Sequence, residues 1–192
     1  MSKRIVIVIG HPRSGSFCHA LAKEYADGAA SAGSETKVLP LDTLRFDPIL
    51  RAGFDGAQPL EEDLVAAQEA IRWAEHLVFV YPVWWGTMPA LLKGFIDRVF
   101  LPGFAFKYRT GSALWDRLLA GRTGELIVTM DSPPWYYRWL AGQPGHRMMK
   151  KTVLEFCGVR PVGVTSIGSV RKSTPERRES WLAKARQLGL AA

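Results

Sequence analysis

The chain has 192 residues, 47% of them hydrophobic, and a formal net charge of +7. That length and composition suit one compact domain over residues 1–192 with a sizeable core. The charge favours anionic ligands, while the lack of a long basic run or nucleic-acid module argues against a nucleic-acid partner. Only two cysteines occur, Cys18 and Cys157, far apart and outside any metal-ligand spacing; this excludes a disulfide framework and a zinc site. No apolar run reaches the roughly 18 residues of a membrane span, so a cytoplasmic protein without membrane insertion is expected.

In chain order, "RIVIVI" (4–9) reads as a buried strand and "SFCHALAKEYADGAASAG" (16–33) as a helix with Phe17, Leu21 and Tyr25 along one face. "ETKVLPL" is a second strand, and the Asp-, Gly- and Pro-rich stretch from Asp42 to Pro59 a loop. Helical spacing returns from Leu60 to Glu75, and "HLVFVY" is a third strand ended by Pro82. "MPALLKGFIDRVF" places Leu91, Phe95, Val99 and Phe100 at helical positions. "GELIVTM" and "RPVGVTSI" supply two more strands, with a helix around His146 to Phe156 between them and another ending near Leu188. Five strands alternating with helices imply an α/β, doubly wound, five-stranded parallel sheet with helices on both faces. Ligands of such sheets bind at the carboxyl ends of the strands, which directs attention to the loops after Ile9, Tyr81 and Met130.

The first of these loops, "GHPRSGSFCHAL" (10–21), turns a strand directly into a helix N-terminus. Unpaired amides and the positive end of the helix dipole then face one spot, which suits a phosphate. Ser14 and Ser16 add hydroxyl donors, Gly15 allows close backbone approach, and His11 or Arg13 adds charge-assisted contacts. Ser16 also reads as the helix N-cap, and capping alone is the plainer role for it. Neither GxGxxG nor GxxxxGK[ST] is present, which weakens dinucleotide-fold and triphosphatase readings. In the second loop, the adjacent Trp84 and Trp85 are costly to expose as a mere connector. They fit the wall of a flat apolar ligand, with the amides of Trp84, Trp85 and Gly86 facing its polar atoms, or else a core or dimer-interface role.

Three segments, "GHPRSGSFCHAL", "YPVWWGTMPALLKGFIDRVFLPGFAF" and "TMDSPPWYY", follow successive strands in this order. Together with "FCGVRPV" they resemble the flavodoxin-fold NAD(P)H:quinone oxidoreductases of the DT-diaphorase type, over Lys3 to about Trp181. The resemblance implies a flavodoxin-like fold with His11, Ser16, Phe17 and Cys18 around a flavin phosphate, and Ser14 is an added candidate there. It places Pro82, Val83, Trp84, Trp85 and Gly86 along the flavin ring system, and Thr129, Met130, Asp131 and Ser132 as a third wall. Tyr137 would lie near the reacting edge, and Tyr137 and His146 are the candidate catalytic pair. Phe104, Ala105, Phe106 and Lys107 would reach the substrate pocket, as part of a homodimer. The third loop departs from the family's glycine-rich pattern in "MDSPPWYYRW", and His146 stands at a different spacing.

The implied activity is ping-pong hydride transfer from NADPH or NADH through FMN, with FAD as the alternative, to a quinone-like acceptor. Cys18 reads as a small helix residue beside the phosphate, and Arg177 and Arg178 as a solvated helix start. Two other readings remain open: an ancillary subunit of a glutathione-gated potassium efflux system, in peripheral contact with a transporter, and an electron-carrier flavodoxin. The net charge of +7 runs against the second, since an acidic surface is the usual companion of that role.

Overall fold

The computed structural model describes residues 2–54 and 58–192, so residues 55–57 of the loop expected over Asp42 to Pro59 lie outside the described residues. Five strands, β1 (Arg4–Ile9), β2 (Glu35–Pro40), β3 (His76–Pro82), β6 (Thr123–Thr129) and β7 (Val162–Ile167), form one parallel sheet in the order β2-β1-β3-β6-β7. A separate antiparallel hairpin, β4 (Phe106–Tyr108) with β5 (Trp115–Arg117), lies between the third and fourth of them in sequence. Helices α1 (Phe17–Ser31), α2 (Glu62–Trp73), α3 (Ala90–Val99) and α7 (Pro175–Leu190) match the expected helices to within two or three residues. The hairpin and the short helix α4 (Pro134–Trp139) are additions that the sequence reading did not contain. The helix expected around His146 is composite. It runs as α5 (Pro144–Arg147), a wider π-helical stretch (Met148–Leu154) and α6 (Glu155–Cys157).

Strand alternation builds two cores. Val6, Val8, Phe79, Tyr81, Leu126 and Val128 face α2, α3 and the composite helix, while Ile5, Ile7, Val78, Val80 and Ile127 face α1 and α7. Because side chains alternate at period two, a buried strand supplies both layers and reads as an unbroken apolar run. Helices α1 and α7 approach closely at two glycines: a Cβ at Gly28 would run into the Arg186 carbonyl, and one at Gly189 into the Tyr25 carbonyl. The long loop before α2 is anchored by Arg98, fully buried on α3. Its guanidinium donates to the Asp47 carbonyl at 2.6 Å, the Pro59 carbonyl at 2.8 Å and the Glu61 carboxylate at 2.9 Å.

The register positions the site. Ile9 pairs with Val80, and Pro82 with Thr129, so β1, β3 and β6 end at one edge of the sheet and deliver their following loops side by side. Among the described residues no helix is long and apolar enough to cross a membrane.

Candidate functional site

At that edge lies a cavity of about 290 Å³, lined by His11, Arg13, Ser16, Phe17 and Cys18 from the first loop, Pro82, Val83 and Trp84 from the second, and Thr129, Met130 and Asp131 from the third. Val170 and Arg171 close its remaining side. Three loops far apart in sequence therefore meet as the strand order requires. The amides of Ser16, Phe17 and Cys18 donate to no protein group among the described residues. They stand at the N-terminus of a 15-residue helix, where its dipole adds positive potential. With the positively charged Arg13 and Arg171 among the lining residues, this donor set fits a phosphate.

Ser16 takes the N-cap position, but its side chain makes no cap hydrogen bond. Its hydroxyl pairs instead with His19 Nδ1 at 2.9 Å, so the expected capping role is corrected. Ser14, expected as a phosphate donor, turns away to donate to the Asp42 carboxylate and does not line the cavity. His11 Nδ1 accepts the Arg13 amide at 3.0 Å, and its ring meets the Trp84 indole edge-on at 5.6 Å. Burial, with the Arg13 charge beside it, pushes His11 below its ordinary value, so its ring enters the site neutral. The Cys18 thiol lies 3.5 Å from the Thr129 hydroxyl, and burial pushes it up to about 11, which leaves it protonated and a poor nucleophile.

The tryptophan loop is a tight two-residue turn. Trp84 and Thr87 exchange both backbone hydrogen bonds, at 2.9 and 3.0 Å, with Trp85 (φ 51°) and Gly86 (φ 80°) in the left-handed region. The Trp84 amide is thereby engaged and does not face the cavity as expected. Trp85, left-handed without being glycine, carries a strain of about 1 kcal/mol and projects fully into solvent. Neither Trp85 nor Gly86 lines the cavity. The turn is clamped from behind, since the Gly86 carbonyl accepts the Tyr137 hydroxyl at 2.8 Å and the Gly145 amide at 3.1 Å.

Tyr137 and His146 are brought together, with rings 4.9 Å apart, but outside the cradle cavity. The Tyr137 hydroxyl is occupied on both sides, donating to Gly86 and accepting the Gly145 amide at 2.9 Å. Burial raises its pKa, so it stays a donor at neutral pH. His146 Nε2 lies 2.8 Å from Ser166 Oγ, its Nδ1 is buried without a partner, and burial pushes the ring down to about 4. No hydrogen bond links the two side chains. They border a second cavity of about 470 Å³ with Trp135, Arg138, Trp139 and Gln143. Asp131 accepts the Arg171 amide at 2.9 Å, while Ser132, at the turn into α4, lies outside the cradle. Phe104 and Ala105 are core residues rather than parts of a surface site, because the hairpin packs down on the α3 layer. Phe106 borders a third, apolar cavity with Phe54, Phe100 and Phe156, and Lys107 is exposed. Arg171 and the partnership of His19 with Asp42 went unread in the sequence. The available signal was His19 three residues after Ser16, on the same helix face.

A doubly wound sheet whose first loop forms an anion cradle opposite a tryptophan-bearing second loop and a third loop defines a mononucleotide-binding α/β protein. The chain belongs to the Flavodoxin-like fold family, whose pattern matches residues 3–188. It is 26% identical to a Haemophilus influenzae protein named as an uncharacterized NAD(P)H oxidoreductase, over 95% of this chain and 92% of the relative. It is 25% identical to NAD(P)H dehydrogenase (quinone) 1 of Rattus norvegicus, over 93% of this chain and 75% of that protein. The solved NAD(P)H:quinone oxidoreductase from Methanothermobacter marburgensis superposes with a TM-score of 0.84 at 25% identity, covering 99% of this chain and 98% of that one.

Proposed function

We propose that this chain is a flavin-dependent NAD(P)H:quinone oxidoreductase that passes a hydride from NADH or NADPH to a quinone or similarly flat acceptor. The observation that carries this reading is the cradle: unused amides at the start of α1, the buried Ser16 hydroxyl and the Arg13 and Arg171 charges converge on one cavity. Donor and acceptor classes follow the names of the relatives that match along most of the chain. The cavity's modest volume suits the phosphate and polyol chain of FMN better than the dinucleotide FAD. A flavin bound there supplies the two-electron chemistry, which no side chain of the site provides.

The protein's own part is to bind and orient. The amides of Ser16, Phe17 and Cys18, with His11 and Arg13, hold the phosphate. Pro82, Val83 and Trp84 form one wall for the ring system, with Trp85 and Gly86 at its tip, and Thr129, Met130 and Asp131 form another. Tyr137 acts by fixing the tryptophan turn through Gly86, and His146 supports Tyr137 from behind. The buried, unpaired thiols of Cys18 and Cys157 suit a reducing compartment, and we place a single domain there as a cytoplasmic homodimer. The exposed Phe54 and Tyr108, beside the apolar cavity that Phe106 borders, offer the contact between copies.

The test is an absorption spectrum after incubation with FMN or FAD and removal of the excess, followed by anaerobic NADPH or NADH and then a quinone. Retained FMN that bleaches with a nicotinamide and recovers with the quinone is expected. Failure to retain either flavin overturns the reading. Flavin that binds and stays oxidised with both nicotinamides points to the electron-carrier class instead.

A further inference from the structure

Behind the cradle runs a chain of four polar side chains. Ser16 Oγ lies 2.9 Å from His19 Nδ1, His19 Nε2 lies 3.0 Å from Asp42 Oδ1, and Ser14 donates to the other Asp42 oxygen. The Asp42 side chain is 2% exposed. Burial pushes its carboxyl up, but the hydrogen bonds from Ser14 and His19 outweigh that and hold it below its ordinary value. Asp42 is therefore an ionised, acceptor-only group at neutral pH, and His19 Nε2 must carry a proton.

The state of His19 Nδ1 then decides what Ser16 offers the cavity. A bare Nδ1 accepts the Ser16 hydroxyl proton, and the hydroxyl turns its lone pairs outward. A protonated Nδ1 donates to Ser16 and frees its O–H for the cavity. A phosphate dianion is acceptor-only, so it is matched by the second arrangement alone. The His19 cation would also offset the Asp42 carboxylate that otherwise stands one side chain behind the anion.

We infer that His19 and Asp42 are positioning residues that couple anion binding in the cradle to uptake of one proton at His19 Nδ1, which converts Ser16 into a donor. This rests on the flavin reading, which supplies the phosphate. The charged groups around His19 are His11 and Arg13 from the first loop, Asp42 from the loop after β2, and Lys23 one turn along α1, itself paired with Asp27 at 2.6 Å. Arg171 stands on the far side of the cavity. His11 is the competing proton acceptor, but its Nδ1 already accepts the Arg13 amide and would lose that bond on protonation.

The affinity for FMN, read by flavin fluorescence, is measured from about pH 7 to about pH 9, where a phosphate monoester stays dianionic. The dissociation constant is expected to rise with pH across that range, with net proton uptake on FMN binding by calorimetry in buffers of different ionisation heat. Riboflavin, which has no phosphate, should bind with a flat profile. His19→Asn, whose amide donates to Ser16 at any pH, should bind FMN with a flat profile too, whereas His11→Gln keeps the slope. A flat wild-type profile for FMN, or a slope that survives in His19→Asn, overturns the inference. Should His19→Asn fail to fold, the FMN and riboflavin comparison and the proton count on the wild type decide. If neither FMN nor riboflavin binds at any pH, the flavin reading falls separately. Inorganic phosphate then tests the proton coupling alone: the His19 ¹⁵Nδ1 resonance should move to its protonated position, and no movement refutes it.

Discussion

Acidification should unfold this protein through two histidines before it does so through the carboxylates. His146 and His76 are buried, each with one ring nitrogen bonded and the other without a partner. His146 Nε2 meets Ser166 at 2.8 Å, and His76 Nδ1 meets Thr123 at 2.6 Å. Burial pushes both down to about 4, helped at His76 by the Lys3 charge. In the unfolded chain each titrates at about 6.5. Above that pH neither state binds the proton and nothing is lost. Below it the unfolded chain gains a proton at each site that the native protein refuses until about pH 4, so stability falls with pH across that window. At about pH 5 the difference amounts to about 2 kcal/mol per histidine, or about 4 kcal/mol for the pair, against a typical total of about 5–15 kcal/mol. Urea unfolding of the flavin-free protein at about pH 7.5 and about pH 5 measures the loss directly. His146→Gln and His76→Gln should each recover about half of the pH dependence, whatever each costs at neutral pH. A stability unchanged between the two pH values, or a double variant with the wild-type pH dependence, would refute the reasoning.

Arg98→Met should cost about 1–3 kcal/mol in urea unfolding, because it takes the guanidinium donor from two loop carbonyls and from the partly exposed Glu61 carboxylate, which keeps the Asp47 amide. A loss below about 1 kcal/mol would mean that the loop before α2 does not depend on this anchor. Gly28→Ala should cost about 1–3 kcal/mol through its clash with the Arg186 carbonyl, read as a lowered melting temperature, and unchanged melting would contradict the close approach of α1 and α7. Tyr137→Phe removes one of two donors to the Gly86 carbonyl and one of two acceptors of the Gly145 amide, which still bond each other, so about 0.5–1.5 kcal/mol of stability should go, with weaker flavin retention as the tryptophan turn loosens. Unaltered stability and retention in that variant would show that the turn holds without its clamp.

The central strands β1, β3 and β6 were legible as apolar runs buried on both faces, the half-exposed edge strands β2 and β7 by their β-branched residues and their place in the alternation, and the structure moves the ends of all five by at most two residues. The hairpin was not, because "FKY" and "WDR" are three residues each, mostly polar, and take their shape from packing Trp115 on Phe156 at 4.5 Å. Helix α4 was hidden in "SPPWYYRW", where two prolines read as a loop; Pro134 in fact occupies the first helical position, where its missing N–H costs nothing. The π-helical stretch has no compositional mark, since Met148–Leu154 carries the same helix-forming residues as an α-helix would.

The site divides along the same line, between what is local and what is assembled. The cradle was legible because a strand turning directly into a helix leaves amides exposed whatever the rest of the chain does. The direction of each side chain within it was not. Ser14 and Ser16 are equally able to face an anion, and what separates them is Asp42, which lies 28 residues beyond Ser14 and takes that hydroxyl as its charge-assisted donor. Tyr137 follows the same logic, its hydroxyl drawn to the carbonyl of Gly86, 51 residues earlier, by a left-handed turn that presents that carbonyl outward from the loop. A hydroxyl goes to the strongest acceptor within reach, and which acceptor is within reach is a property of the assembled fold. Spacing along the chain therefore identifies the residues of this site more reliably than it assigns their partners.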